Sequence, residues 1–110
     1  MPVPLYQAKA EFFRTLGHPV RIRILELLSQ REHAVHELLA EIGVEASSLS
    51  QQLSVLRRSA LVTSQRRDGE VIYAIAVPEV NDLLQAARQI LSAVAAEQAD
   101  LVAQLARTTH

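Results

Sequence analysis

Between Ala46 and Arg67 the chain carries four arginines (Arg57, Arg58, Arg66 and Arg67) and no acidic residue. The whole 110-residue chain has a net charge of −1, so everything outside this strip sums to −5. A near-neutral chain with one basic strip still binds phosphate, because the local field at the contact outweighs the total charge. The strip also holds Ser47, Ser48, Gln51 and Ser54. Glutamine bonds an adenine edge through two atoms, and serine serves a base or a phosphate. The competing readings are a solvated arginine-rich face and, for Ser47, a helix N-cap.

The histidines suggest a second chemistry. His33 and His36 lie three apart and are flanked by Glu32 and Glu37. Imidazole and carboxylate together suit Zn²⁺ or Ni²⁺, and this spacing permits both rings on one side of a turn. Four ligands would need help from elsewhere, such as a partner chain; the plainer reading is two exposed polar residues at a loop-to-helix junction. Glu97, Asp100 and His110 form a looser candidate set near the chain end, and His18 reads as a helix-start residue. Folding requires no cofactor, and any metal would act as an effector. Cysteine is absent, which removes disulfides, thiolate metal sites and thiol nucleophiles together.

Catalysis finds little support. There is no phosphate loop, dinucleotide glycine pattern, nucleophile elbow or histidine–carboxylate zinc motif, and the single lysine, Lys9, lies on an amphipathic helix. Met1–Glu11 lacks the basic stretch and apolar run of a secretion signal, and no apolar segment approaches roughly 18 residues. A cytoplasmic domain is expected, single over 1–110 at this length.

The elements that must position these residues are set by sparse punctuation. Gly17 precedes His18-Pro19, Gly43 separates two helical patterns, Asp68-Gly69 is a tight-turn signature, and Pro78 opens the last segment. Helices are expected over 5–16, 19–28 and 35–42. A fourth, over 47–60, places Leu49, Leu53, Leu56 and Ala60 on one face. The runs 62–66 and 71–75 around Asp68-Gly69 read as a β-hairpin. From Pro78 to Arg107, Val80, Ala87, Val94 and Leu101 repeat every seven residues beside Leu84, Leu91, Gln98 and Leu105. About thirty residues of such a stripe call for a partner helix. The fold expected is mainly α with a small hairpin: a winged helix-turn-helix over about 35–60, a wing over about 61–76, and flanking helices over about 5–16 and 78–107. In that plan the second helix of the pair enters the major groove.

The chain resembles the ArsR/SmtB-type winged-helix transcriptional repressors. The resemblance rests on Leu16-Gly17-His18-Pro19 through Leu25, on Ile42-Gly43 through Ser50-Gln51-Gln52-Leu53 to Val62, and on Arg67-Asp68-Gly69 through Ile72-Tyr73. It implies a homodimer built on the first and last helices, binding an inverted-repeat DNA operator under the control of an effector. Leu5, Phe12, Leu84, Ala87, Leu91, Val94 and Leu101 are the expected interface. Family DNA contacts map onto Ser47, Ser48, Ser50, Gln51 and Arg57 and onto the wing. The full candidate set adds Gln52, Ser54, Arg58, Arg66 and Arg67. Gln52 stands where many members have histidine. Where metal-sensing members have cysteines on the short helix, this chain has Ala34 and His36. The ligand positions of a second family site fall on Val77, Glu79, Ile90 and Ala93, of which only Glu79 ligates. Three readings therefore stand: a metal-responsive repressor, a repressor without small effector or under a partner protein's control, and a winged helix used for protein contact.

Overall fold

The structure, a computed structural model, describes residues 2–108. Its elements in order are α1 (Leu5–Leu16), α2 (Pro19–Gln30), β1 (His33–Ala34), α3 (Val35–Ile42), α4 (Ala46–Arg58), β2 (Val62–Arg67), β3 (Glu70–Ile75) and α5 (Glu79–Thr108). The three strands form one antiparallel sheet in the order β1-β3-β2. This is a winged helix-turn-helix. The chain divides into two compact units, one ending at Val80 and the other starting at Asn81.

The punctuation works as local chemistry dictates. The Nδ1 of His18 accepts from the Val20 N–H (3.2 Å) and caps α2, whose first residue, Pro19, needs no amide partner. Gly43 ends α3 in the left-handed region (φ 73°), and its N–H donates to the Leu39 carbonyl. Asp68 and Gly69 both have positive φ, as a two-residue hairpin turn between right-twisted strands requires.

The core of the first unit is aliphatic. Ile24, Leu25, Leu38, Leu49, Leu53 and Leu56 are its largest fully buried side chains, drawn from α2, α3 and α4, and α2 packs on α3, α4 and β3. Burying a leucine side chain is worth about 1.5–3 kcal/mol, so α4 is seated chiefly by its three leucines. In the second unit, the α5 residues Ile90, Leu91, Val94, Leu101 and Val102 are 44–68% exposed.

Two expectations need correction. The fourth helix stops at Arg58, and Ala60 is not on its buried face: it is exposed, with φ 62°. The Ala60 N–H donates to the Arg57 carbonyl and the Leu61 N–H to the Leu56 carbonyl, a Schellman closure with alanine at the position glycine favours. The second correction is β1. The stretch before α3 is not an exposed junction but a short strand, His33 opposite Tyr73 and Ala34 opposite Ile72.

Candidate nucleic-acid interface

On α4, Leu49, Gln52, Leu53 and Leu56 are buried, and Ser47, Ser50, Gln51, Ser54, Arg57 and Arg58 are exposed. Ser47, Gln51, Ser54 and Arg58 follow three- and four-residue steps along one surface of the helix, with Ser50 and Arg57 beside them. Ser48 is half-buried at the margin. The face offers hydroxyls, one amide and two guanidinium groups, and no carboxylate. The N-cap residue is Glu45, and no side chain caps the helix. Ser47 is therefore not the cap. The first intrahelical acceptor, the Glu45 carbonyl, takes the Leu49 N–H, so the amides of Ala46, Ser47 and Ser48 precede the ladder.

Gln52 leaves the DNA-facing set. It is 8% exposed, and its Oε1 accepts from Arg21 Nε (2.7 Å). Arg21 also donates through Nη1 to the Thr15 carbonyl (3.1 Å), so one guanidinium joins the end of α1, α2 and α4. Position alone carried the signal: Gln52 is three residues after Leu49 and four before Leu56, on the leucine side. A polar group there must be satisfied, and Arg21 satisfies it.

The wing presents Gln65, Arg66 and Arg67 on β2, all exposed. Its tip is tied to the segment around β1 by one ion pair and one histidine–carboxylate contact. Arg67 Nη2 lies 2.7 Å from Glu32 Oε2, and Glu70 Oε1 lies 3.1 Å from His36 Nδ1. The hydrogen bond from Arg67 lowers the Glu32 pKa below its ordinary value, and Glu32 raises that of Arg67. Neither partner of the Glu32–Arg67 pair was legible as such, since they are far apart in sequence and the strand that brings them close has only two residues.

The histidine–carboxylate cluster does not assemble as a ligand set. His33 is in β1, ahead of the helix, buried at 3% exposure with its Nδ1–H donating to the Arg31 carbonyl (2.9 Å). His36 is on α3, exposed and paired with Glu70. Glu37 accepts the Ala34 N–H (2.9 Å) and pairs with Arg31 (3.0 Å); the amide first, then the guanidinium, lower its pKa. With Glu32 on Arg67, each of the four side chains is engaged by a group other than its neighbours in the cluster. Among the described residues no three His, Asp or Glu side chains gather to hold a metal ion. Glu97 and Asp100 are exposed on α5, and His110 lies outside the described residues.

A family model described as "Bacterial regulatory protein, arsR family" matches residues 18–64, from the cap of α2 into the wing. An uncharacterized HTH-type transcriptional regulator of Mycobacterium tuberculosis, Rv0081, is 52% identical over 96 residues, 86% of this chain and 84% of that protein. The chain belongs to the ArsR family of bacterial regulatory proteins. The crystal structure of Rv0081 matches with a TM-score of 0.80 at 50% identity, covering 89% of this chain and 99% of that one. A biofilm growth-associated repressor of Agrobacterium fabrum is 32% identical over 84% of this chain and 83% of its own length. A homodimeric winged helix-turn-helix DNA-binding domain from Mycobacterium bovis, solved by NMR, matches at 29% identity and a TM-score of 0.69, covering 86% of each chain. The ArsR-type chain is accordingly a transcriptional regulator with a DNA-binding winged helix, in a class that is not enzymatic. No helix among the described residues is long and apolar enough to cross a membrane.

Proposed function

We propose that this ArsR-type regulator is a cytoplasmic homodimeric repressor that binds an inverted-repeat operator. In this reading α4 lies in the major groove, and the wing arginines meet the adjacent backbone or minor groove. One observation carries the reading. The exposed side of α4 is small, polar and cationic without a single carboxylate, while its other side is seated by Leu49, Leu53 and Leu56. Gln51 reads a base edge, and Ser47, Ser48, Ser50, Ser54, Arg57, Arg58 and Arg66 serve bases or phosphates. The acid-free face weighs against a protein-contact module. Dimerisation is supported by the exposed apolar residues of α5 and by Leu5 on α1, and by the homodimeric relative.

The engagement of Glu32 and Glu37 in separate ion pairs, and of His36 by the Glu70 carboxylate, favours a repressor that needs no metal at β1–α3, controlled without small effector or by a partner protein. The test is a fluorescence-anisotropy titration against duplex DNA from upstream of the protein's own gene, with a scrambled duplex as control. It is run with chelator, then with Zn²⁺ and with Ni²⁺. Tight binding to the upstream duplex alone, unchanged by metal, is the expected result. A metal-dependent shift would revive the histidine–carboxylate site, and equal weak binding to both duplexes would count against sequence-specific repression.

A further inference from the structure

Of the four arginines in the basic strip, Arg57, Arg58 and Arg66 have no acidic partner within ion-pair distance among the described residues, whereas Arg67 has one. Arg67 is the last residue of β2, next to the Asp68-Gly69 tip, and Glu32 comes just before β1. Both side chains are 49% exposed, so neither needs the other to remain folded. A carboxylate and a phosphodiester are both anionic acceptors for the same guanidinium N–H groups, so they compete for it.

We propose that Glu32 is an internal competitor for DNA at the wing: its carboxylate occupies Arg67, and this arginine reaches a phosphate only by giving up Glu32. The inference rests on the wing being part of the DNA face, and adds to it a residue outside that face which sets its affinity. An exposed ion pair is weak enough for a phosphate to displace it, yet the exchange subtracts from every encounter with DNA, whatever its sequence. Where Arg67 moves to the backbone, Glu32 is left as an unpaired negative charge beside a polyanion. Where Arg67 stays, one wing cation is lost to binding. Glu32 therefore restrains sequence-independent affinity, which decides how much regulator is held on non-operator DNA. Two other charged groups border the pair. Asp68 adds to the field on Arg67, and Glu70 is engaged by His36.

The experiment is an anisotropy titration of the full chain against the upstream and scrambled duplexes over a range of salt concentrations. Wild type is compared with Glu32→Gln, Arg67→Ala, the double variant and Glu70→Gln, each checked for an unchanged thermal unfolding midpoint. Glu32→Gln is expected to tighten binding to both duplexes by about two- to fivefold at low salt. It should also steepen the salt dependence by about 0.9, the increment of one further phosphate contact. Arg67→Ala should abolish that gain in the double variant, and Glu70→Gln should leave the slope as in wild type. Unchanged or weaker binding by Glu32→Gln overturns the inference, the weaker case meaning that Glu32 presents Arg67 to DNA. Equal tightening in the Arg67→Ala background, or by Glu70→Gln, also overturns it, since a general change of charge would then suffice. Failure of the wild type to bind either duplex is a different result: it defeats the DNA reading itself and the inference with it.

Discussion

α4 and α5 carry leucines at similar helical spacing, and the chain treats them in opposite ways. Leu49, Leu53 and Leu56 of α4 are at most 2% exposed, whereas Leu91, Val94 and Leu101 of α5 are 44–68% exposed. Periodicity alone announces an apolar face, not what covers it. The stripe on α4 is consumed within the chain and fixes the polar face opposite it. The stripe on α5 is left as exposed apolar surface, with the spacing that the proposed dimer would cover with a second helix.

The contrast breaks most severely at α4. Leu53→Ala is expected to cost about 2–5 kcal/mol of stability, read as a lowered denaturant midpoint, because the site is fully packed. A loss below about 1 kcal/mol would mean that α4 is seated by something else. Leu91→Glu or Val94→Glu should do the reverse: leave the far-UV circular dichroism of the fold intact and weaken self-association at least tenfold, measured by analytical ultracentrifugation, by placing a charge in the seam that the proposed dimer would bury. A dimer that survives both changes at micromolar concentration moves the interface off this stripe.

The polar side of α4 gives finer cuts. Gln51→Ala should reduce discrimination at one base position by about 1–3 kcal/mol, seen in anisotropy with single-base operator variants. Arg57→Ala should weaken binding to every sequence and flatten the salt dependence by about one unit. A change of sequence preference with an unchanged slope would reassign Arg57 to a base. The smallest effect is at the helix end: Ala60→Gly should stabilise the fold by up to about 1 kcal/mol, since Ala60 holds φ 62° in a closure that glycine adopts without strain. A lower thermal midpoint for that variant would show that the alanine methyl packs usefully.

Much of this was legible in the sequence because the breaks are local chemistry. Gly17-His18-Pro19, Gly43 and Asp68-Gly69 each stop or start an element by rules that act over a few residues: the end of α1, the start of α2, the end of α3 and the inner ends of β2 and β3 fall within one or two positions of those marks. The acid-free face of α4 was equally open to reading, being a matter of period and charge. What stayed hidden depends on contacts between distant segments. Gln52 was grouped with its neighbour Gln51, yet its partner Arg21 lies 31 residues away. His33 looked exposed because a two-residue strand has no period to reveal it, and its burial follows only from pairing with Tyr73. The same pairing brings the wing close to Glu32, so that a carboxylate flanking the candidate histidine pair is an arginine partner instead.

The strand order carries one more consequence. β3 lies between β1 and β2, so β2 is an open edge of the sheet, a template on which another extended chain could add. That edge ends in Arg66 and Arg67, and charged side chains on an edge strand oppose such pairing. In the proposed reading the wing arginines would therefore guard this edge against aggregation as well as offer charge to DNA. Neutralising both at once should lower the yield of soluble protein, and that loss would report the unguarded edge rather than the groove.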